Sequence, residues 1–108
     1  GRMFTGAEAE AMGLVTKAVD TDQVLPTAIA IGRDIADNNA PVSVALTKKL
    51  LYKYMETGDR RASRAEEREL FQWALGQPDA AEGIKSFVEK RPPNWSMSKT
   101  RDLPDGQR

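Results

Sequence analysis

The chain has 108 residues, enough for one domain at most and near the lower limit at which a chain buries a self-sufficient core. Sixteen basic and sixteen acidic side chains cancel, which argues against a general polyanion-binding domain and gives no electrostatic reason for membrane attachment. With neither cysteine nor histidine, the chain has no disulfides, thiolate nucleophiles, imidazole bases or the usual zinc sites.

In chain order, Thr5 followed by Glu8 fits a capping box, and Gly13 is a natural stop, so a short helix is predicted from about Gly6 to Met12. Leu14 to Val19 reads as a brief extended segment. From about Asp22 to Asp37, Leu25, Ala28, Ile29, Gly32, Ile35 and Ala36 recur at helical spacing and predict an amphipathic second helix. Pro26 demands that this helix start or bend near it. Asn38-Asn39-Ala40 breaks the pattern, and Pro41 opens a third helix to about Glu56. Its apolar residues, Val42, Val44, Ala45, Leu46, Leu50, Leu51, Tyr54 and Met55, spread around the axis and predict a helix between two layers.

Thr57-Gly58-Asp59 ends the third helix, and Ser63 with Glu66 offers a second capping box for a fourth helix to about Leu75. Gly76-Gln77-Pro78 is the next turn. In the fifth helix, Asp79 and Glu82 are read at the positive end of the dipole and Lys90 and Arg91 at the negative end. Ile84, Phe87 and Val88 form an apolar stripe that something must cover, and Pro92-Pro93 stops the helix, leaving Trp95 as the next large anchor. Residues 96–108 are polar and without periodicity and read as a flexible tail, so the chain divides into a helical segment, 1–95, and a tail, 96–108. No apolar run approaches the ~18 residues that span a bilayer, and no signal-peptide pattern opens the chain; a cytoplasmic location is the default expectation.

Two charged groups invite functional readings. Glu66, Glu67 and Glu69 are interleaved with Arg64 and Arg68, which reads as a solvated, ion-paired helix face rather than acid–base machinery. Lys48, Lys49, Lys53, Arg60, Arg61 and Arg64 form a basic run, but Glu56, Asp59, Glu66 and Glu67 dilute its field, so no nucleic-acid surface is expected.

Three blocks carry a family resemblance: GRMFTGAEAEAMGLV at 1–15, PVSVALTKKLL at 41–51 and EGIKSFVEKRPPNW at 82–95. In type and spacing they resemble the carboxy-terminal region of the enoyl-CoA hydratase/isomerase (crotonase) family. The resemblance implies an all-α piece of about five helices, the family's oligomerisation region without its amino-terminal spiral ββα core. In that family two backbone N–H groups hold the thioester oxygen and glutamates move the protons, all supplied by the core, so no catalytic residue is assigned here. It also implies an acyl-CoA substrate, no cofactor other than coenzyme A as part of that substrate, no metal, and a homo-oligomeric parent, trimer or hexamer. By the same resemblance Phe71 and Phe87 fall where the family places aromatic residues against adenine, and Lys90 where a lysine reaches a CoA phosphate; each ring would serve equally as core. The mid-motif start at Gly1-Arg2 is expected of a fragment, inactive alone and prone to self-association. A non-catalytic helical interaction module is the alternative.

Overall fold

Thr5 and Glu8 form the reciprocal bonds that the spacing predicts. The Glu8 N–H donates to Thr5 Oγ1 at 3.2 Å and the Thr5 N–H to Glu8 Oε2 at 2.8 Å, opening α1, Gly6–Ala11. Arg2 adds an ion pair to Glu8 at 2.9 Å, and these donors lower the Glu8 pKa, the Thr5 N–H most strongly. Gly13 follows in the left-handed region at φ 74°. The computed structural model describes residues 1–107, with five α-helices and no strand among them. Of the segment read as extended, 14–16 are bends and 17–19 carry no regular structure, and the Glu10 carboxylate accepts the Ala18 N–H at 2.8 Å.

After a 3-10 turn at Thr21–Gln23, α2 runs Val24–Asn38, so Pro26 falls in its first turn, where a missing N–H costs no intrahelical bond. The chain divides into two compact units, Gly1–Asp34 and the remainder from Ile35, with the boundary inside α2. No residue of α2 is buried, so its amphipathic face is uncovered.

In the second unit α3, Pro41–Thr57, opens on Pro41 and closes on Gly58 at φ 64°, which supplies the left-handed turn a side chain would resist. α4, Arg60–Leu75, follows at once and packs on α3. Ser63 is not its cap. Asp59 is, its carboxylate accepting from the Arg61 and Ala62 N–H groups at 3.0 and 2.9 Å. An aspartate at the last non-helical position competes better than a serine one turn further in, because four orphan N–H groups lie next to it. Val42 and Leu46 are the buried apolar residues of this unit, while Val44, Leu51 and Met55 stay exposed on α3. One face of that helix is covered, not two.

α5, Pro78–Glu89, packs on α4 and departs from the dipole reading. Glu82 lies beyond the first turn and Arg91 beyond the helix. The two close a fork, Arg91 Nη1 and Nη2 to Glu82 Oε1 and Oε2 at 2.6 and 2.9 Å. Trp95 is the anchor its size suggests. Its Nε1–H donates to the Asp37 carbonyl at 3.1 Å, and its ring lies over Gly83, where a Cβ would meet it at 3.6 Å.

Past Trp95, Asp79, buried in the first turn of α5, accepts Ser96 N–H and Oγ–H at 2.8 and 3.0 Å and the Met97 N–H at 3.3 Å. Gln107 reaches α3 and α4, its carbonyl accepting from Lys49 Nζ at 2.5 Å and its amide donating to Glu66 at 2.8 Å. These contacts, spanning up to 58 positions, have no local signal in the sequence. No helix among the described residues is long and apolar enough to cross a membrane.

Candidate functional site

Phe71, Phe87 and Lys90 lie at exposed positions, on α4, on α5 and at the C-terminal cap of α5. Phe71, on α4, is 61% exposed, and Phe87, on α5, is 85% exposed, so neither ring is core within this chain. Phe71 borders a cleft of about 190 Å³ whose walls include Val42, Trp73 and Met97, with Asp79 at its edge. Phe87 and Lys90 are not among its walls. They adjoin each other instead, the Lys90 N–H meeting the Phe87 carbonyl at 3.3 Å.

Lys90 occupies the left-handed position that ends α5, with φ 53° and ψ 42°. The Arg91 N–H returns to the Ser86 carbonyl at 3.1 Å, so the helix closes in a Schellman turn with lysine where glycine is usual. It is the one non-glycine residue at positive φ among the described residues. The turn is clamped from the far side: Arg91 bonds Glu82, Glu89 at 2.6 Å and the Pro92 carbonyl, and the Asn94 N–H donates to Glu82 Oε1 at 2.6 Å. Arg91 and the Asn94 N–H pull the Glu82 pKa down to about 2, and Glu82 and Glu89 push that of Arg91 up. Arg91, Glu82 and Asn94 thus hold the backbone that presents Lys90. No local pattern in residues 89–94 signals the clamp, because its acid, Glu82, lies nine positions before Arg91.

Glu66 is tied inward. Its Oε2 accepts from Lys53 Nζ at 2.6 Å and from the Tyr54 hydroxyl, and its Oε1 from Gln107. Lys53, then Tyr54, then Gln107 hold its pKa at about 2, while its proximity raises those of Lys53 and Tyr54. A carboxylate so held has no proton to give near neutrality, and its lone pairs are engaged. Glu66 is structural. The basic run also splits: Lys53 serves Glu66, Lys49 holds Gln107, Lys48 borders a groove on α3, and the arginines stay on α4. No single basic surface forms from it.

Phe71 on α4, and Phe87 with Lys90 at the end of α5, thus present two open aromatic faces and an ammonium, groups suited to stacking on a planar base and meeting a phosphate. The family model for enoyl-CoA hydratase/isomerase matches residues 1–98. The chain belongs to that family. Among curated relatives of this enoyl-CoA hydratase/isomerase-family chain, a putative enoyl-CoA hydratase of Thermus thermophilus is 37% identical over 99 residues, 88% of this chain and 37% of the relative. A mevalonyl-coenzyme A hydratase of Aspergillus fumigatus is 35% identical over 92% of this chain and 37% of its own length. Among solved structures, a probable enoyl-CoA hydratase/isomerase from Mycobacterium abscessus superposes with a TM-score of 0.77 at 38% identity, over 86% of this chain and 37% of that one. The chain therefore spans little more than a third of the length of these family members.

Proposed function

We propose that this chain is the carboxy-terminal part of an enzyme of the enoyl-CoA hydratase/isomerase family that acts on acyl-CoA thioesters, supplying subunit contacts and the rim of the CoA site. The observation that carries the reading is Lys90. A lysine stands there in a conformation that disfavours side chains, where glycine is usual, and strain of this kind concentrates at ligand sites. It stands one turn from the open ring of Phe87, in the segment matched by the family model. Phe71 offers a second ring on α4. The oxyanion donors and proton-moving glutamates come from the remainder of the enzyme, so the 108 residues alone bind but do not turn over substrate.

Calorimetric titration with CoA and with 3′-dephospho-CoA tests this. CoA binds more tightly, and Lys90→Ala removes the difference between the two ligands without abolishing binding, as expected for loss of one phosphate contact. Equal affinities for the two ligands in the unaltered chain refute the Lys90 role. Hydration of crotonyl-CoA by the 108 residues alone refutes the division of labour. The interaction-module alternative predicts no CoA binding at all.

A further inference from the structure

The four arginines at the start of α4 form a surface that the CoA reading does not use. Arg60, Arg61, Arg64 and Arg68 fall within about 100° of arc and span about 12 Å of axis at 3.6 residues per turn and 1.5 Å per residue. With Ala65 and Glu69 they border an open groove of about 710 Å³. All four are exposed, and none makes an ion pair among the described residues. Of the acids expected to dilute their charge, Glu66 is bonded to Lys53, Tyr54 and Gln107, while Asp59 caps the helix beside Arg60 and Arg61. Glu67 and Glu69 remain on the flanks.

We infer that this face docks an acidic helix of a separate polypeptide, one bearing carboxylates at i, i+4 and i+8. Arg60, Arg64 and Arg68 repeat every four residues, about 6 Å along the axis, which is the repeat of carboxylates on one side of a facing helix. Guanidinium forks match carboxylates two bonds at a time. A single phosphate would draw its cations to one point, whereas these are laid out in a line about 12 Å long. A nucleic-acid strand would need further basic groups beside the line, and the lysines of α3 are committed or turned to another groove. Large exposed apolar side chains lie on α2, α3 and α5 and, on α4, at Phe71 and Leu75, toward the other end of the helix from Arg60, Arg61 and Arg64.

Fluorescence anisotropy of the 108-residue chain with a labelled helical peptide carrying glutamates at i, i+4 and i+8 decides the matter. Three comparisons accompany it: a scrambled peptide of the same composition, an oligothymidylate and inorganic pyrophosphate. The ordered peptide is expected to bind at least tenfold more tightly than the scrambled one. Arg64→Gln/Arg68→Gln should weaken it at least tenfold and Lys48→Gln leave it unchanged. Equal binding of both peptides, tighter binding of oligothymidylate or pyrophosphate, or insensitivity to the arginine pair overturns the inference. So does self-association of the chain that the double variant abolishes, which would make the occupant a second copy.

Discussion

Lys90 and Glu82 show how a few backbone angles and one fork of hydrogen bonds set up the proposed rim. A side chain in the left-handed region costs about 1–2 kcal/mol, and glycine there gives back part of this through its freer unfolded state. Lys90→Gly should therefore raise stability by up to about 1 kcal/mol while erasing the preference for CoA over its dephosphorylated form, a pairing that separate melting and titration measurements would reveal. A structural role alone would give the first effect without the second. Glu82 predicts a pH response: its folded-state pKa, about 2, lies below the ordinary 4.5, so its stabilisation is complete above about 4.5 and drains away as pH falls toward 2. Glu66 acts in the same window with the same sign. Melting temperature should fall across that range, and Glu82→Gln and Glu66→Gln should each flatten part of the slope; an unchanged profile in both variants would show that these bonds do not persist in solution. Neither pair is legible from charge pattern alone, because Arg91 bends back across nine positions and Gln107 across 41.

Helix boundaries divide into those written in backbone chemistry and those decided by competition among side chains. Pro41 and Pro78 open α3 and α5 where a missing N–H is harmless, Gly58 closes α3, and Thr5 with Glu8 opens α1, so these ends follow from residue type. The start of α4 does not, because Asp59 and Ser63 are both good caps one turn apart and only the geometry selects between them. Asp59→Ala should cost about 1 kcal/mol in chemical denaturation, whereas Ser63→Ala should stay within about 0.5 kcal/mol of the unaltered chain. The reverse order would put the helix start back at Ser63. The proposed rim residues come forward only through resemblance: aromatic spacing on α4 and α5 is equally that of a core, and what folding adds is that both rings are exposed within this chain. The turn at Lys90 was not legible, since nothing in lysine's chemistry marks positive φ.

For the molecule as a whole, the balance of covered and uncovered apolar surface is the governing fact. Among the described residues only Ala9, Val42 and Leu46 are buried apolar side chains, while Leu25, Ile29 and Ile35 on α2, Leu51 and Met55 on α3, and Ile84, Phe87 and Val88 on α5 lie open. Each such side chain contributes about 1.5–3 kcal/mol when fully buried, against roughly 4–15 kcal/mol lost in forming a dimer, so several covered on each copy suffice to favour association. Sedimentation velocity at micromolar concentration should accordingly show dimers or larger species, and Ile84→Ser/Phe87→Ser should shift them toward monomer; a compact monomer throughout would contradict the expectation. Salt separates this association from the arginine line on α4. Apolar contact persists or strengthens as ionic strength rises, particularly with sulfate, whereas the ion pairs of an exposed guanidinium–carboxylate interface are screened. Self-association that survives 0.5 M sodium sulfate, in a chain that has lost its acidic peptide under the same conditions, would assign the two kinds of surface to two kinds of partner.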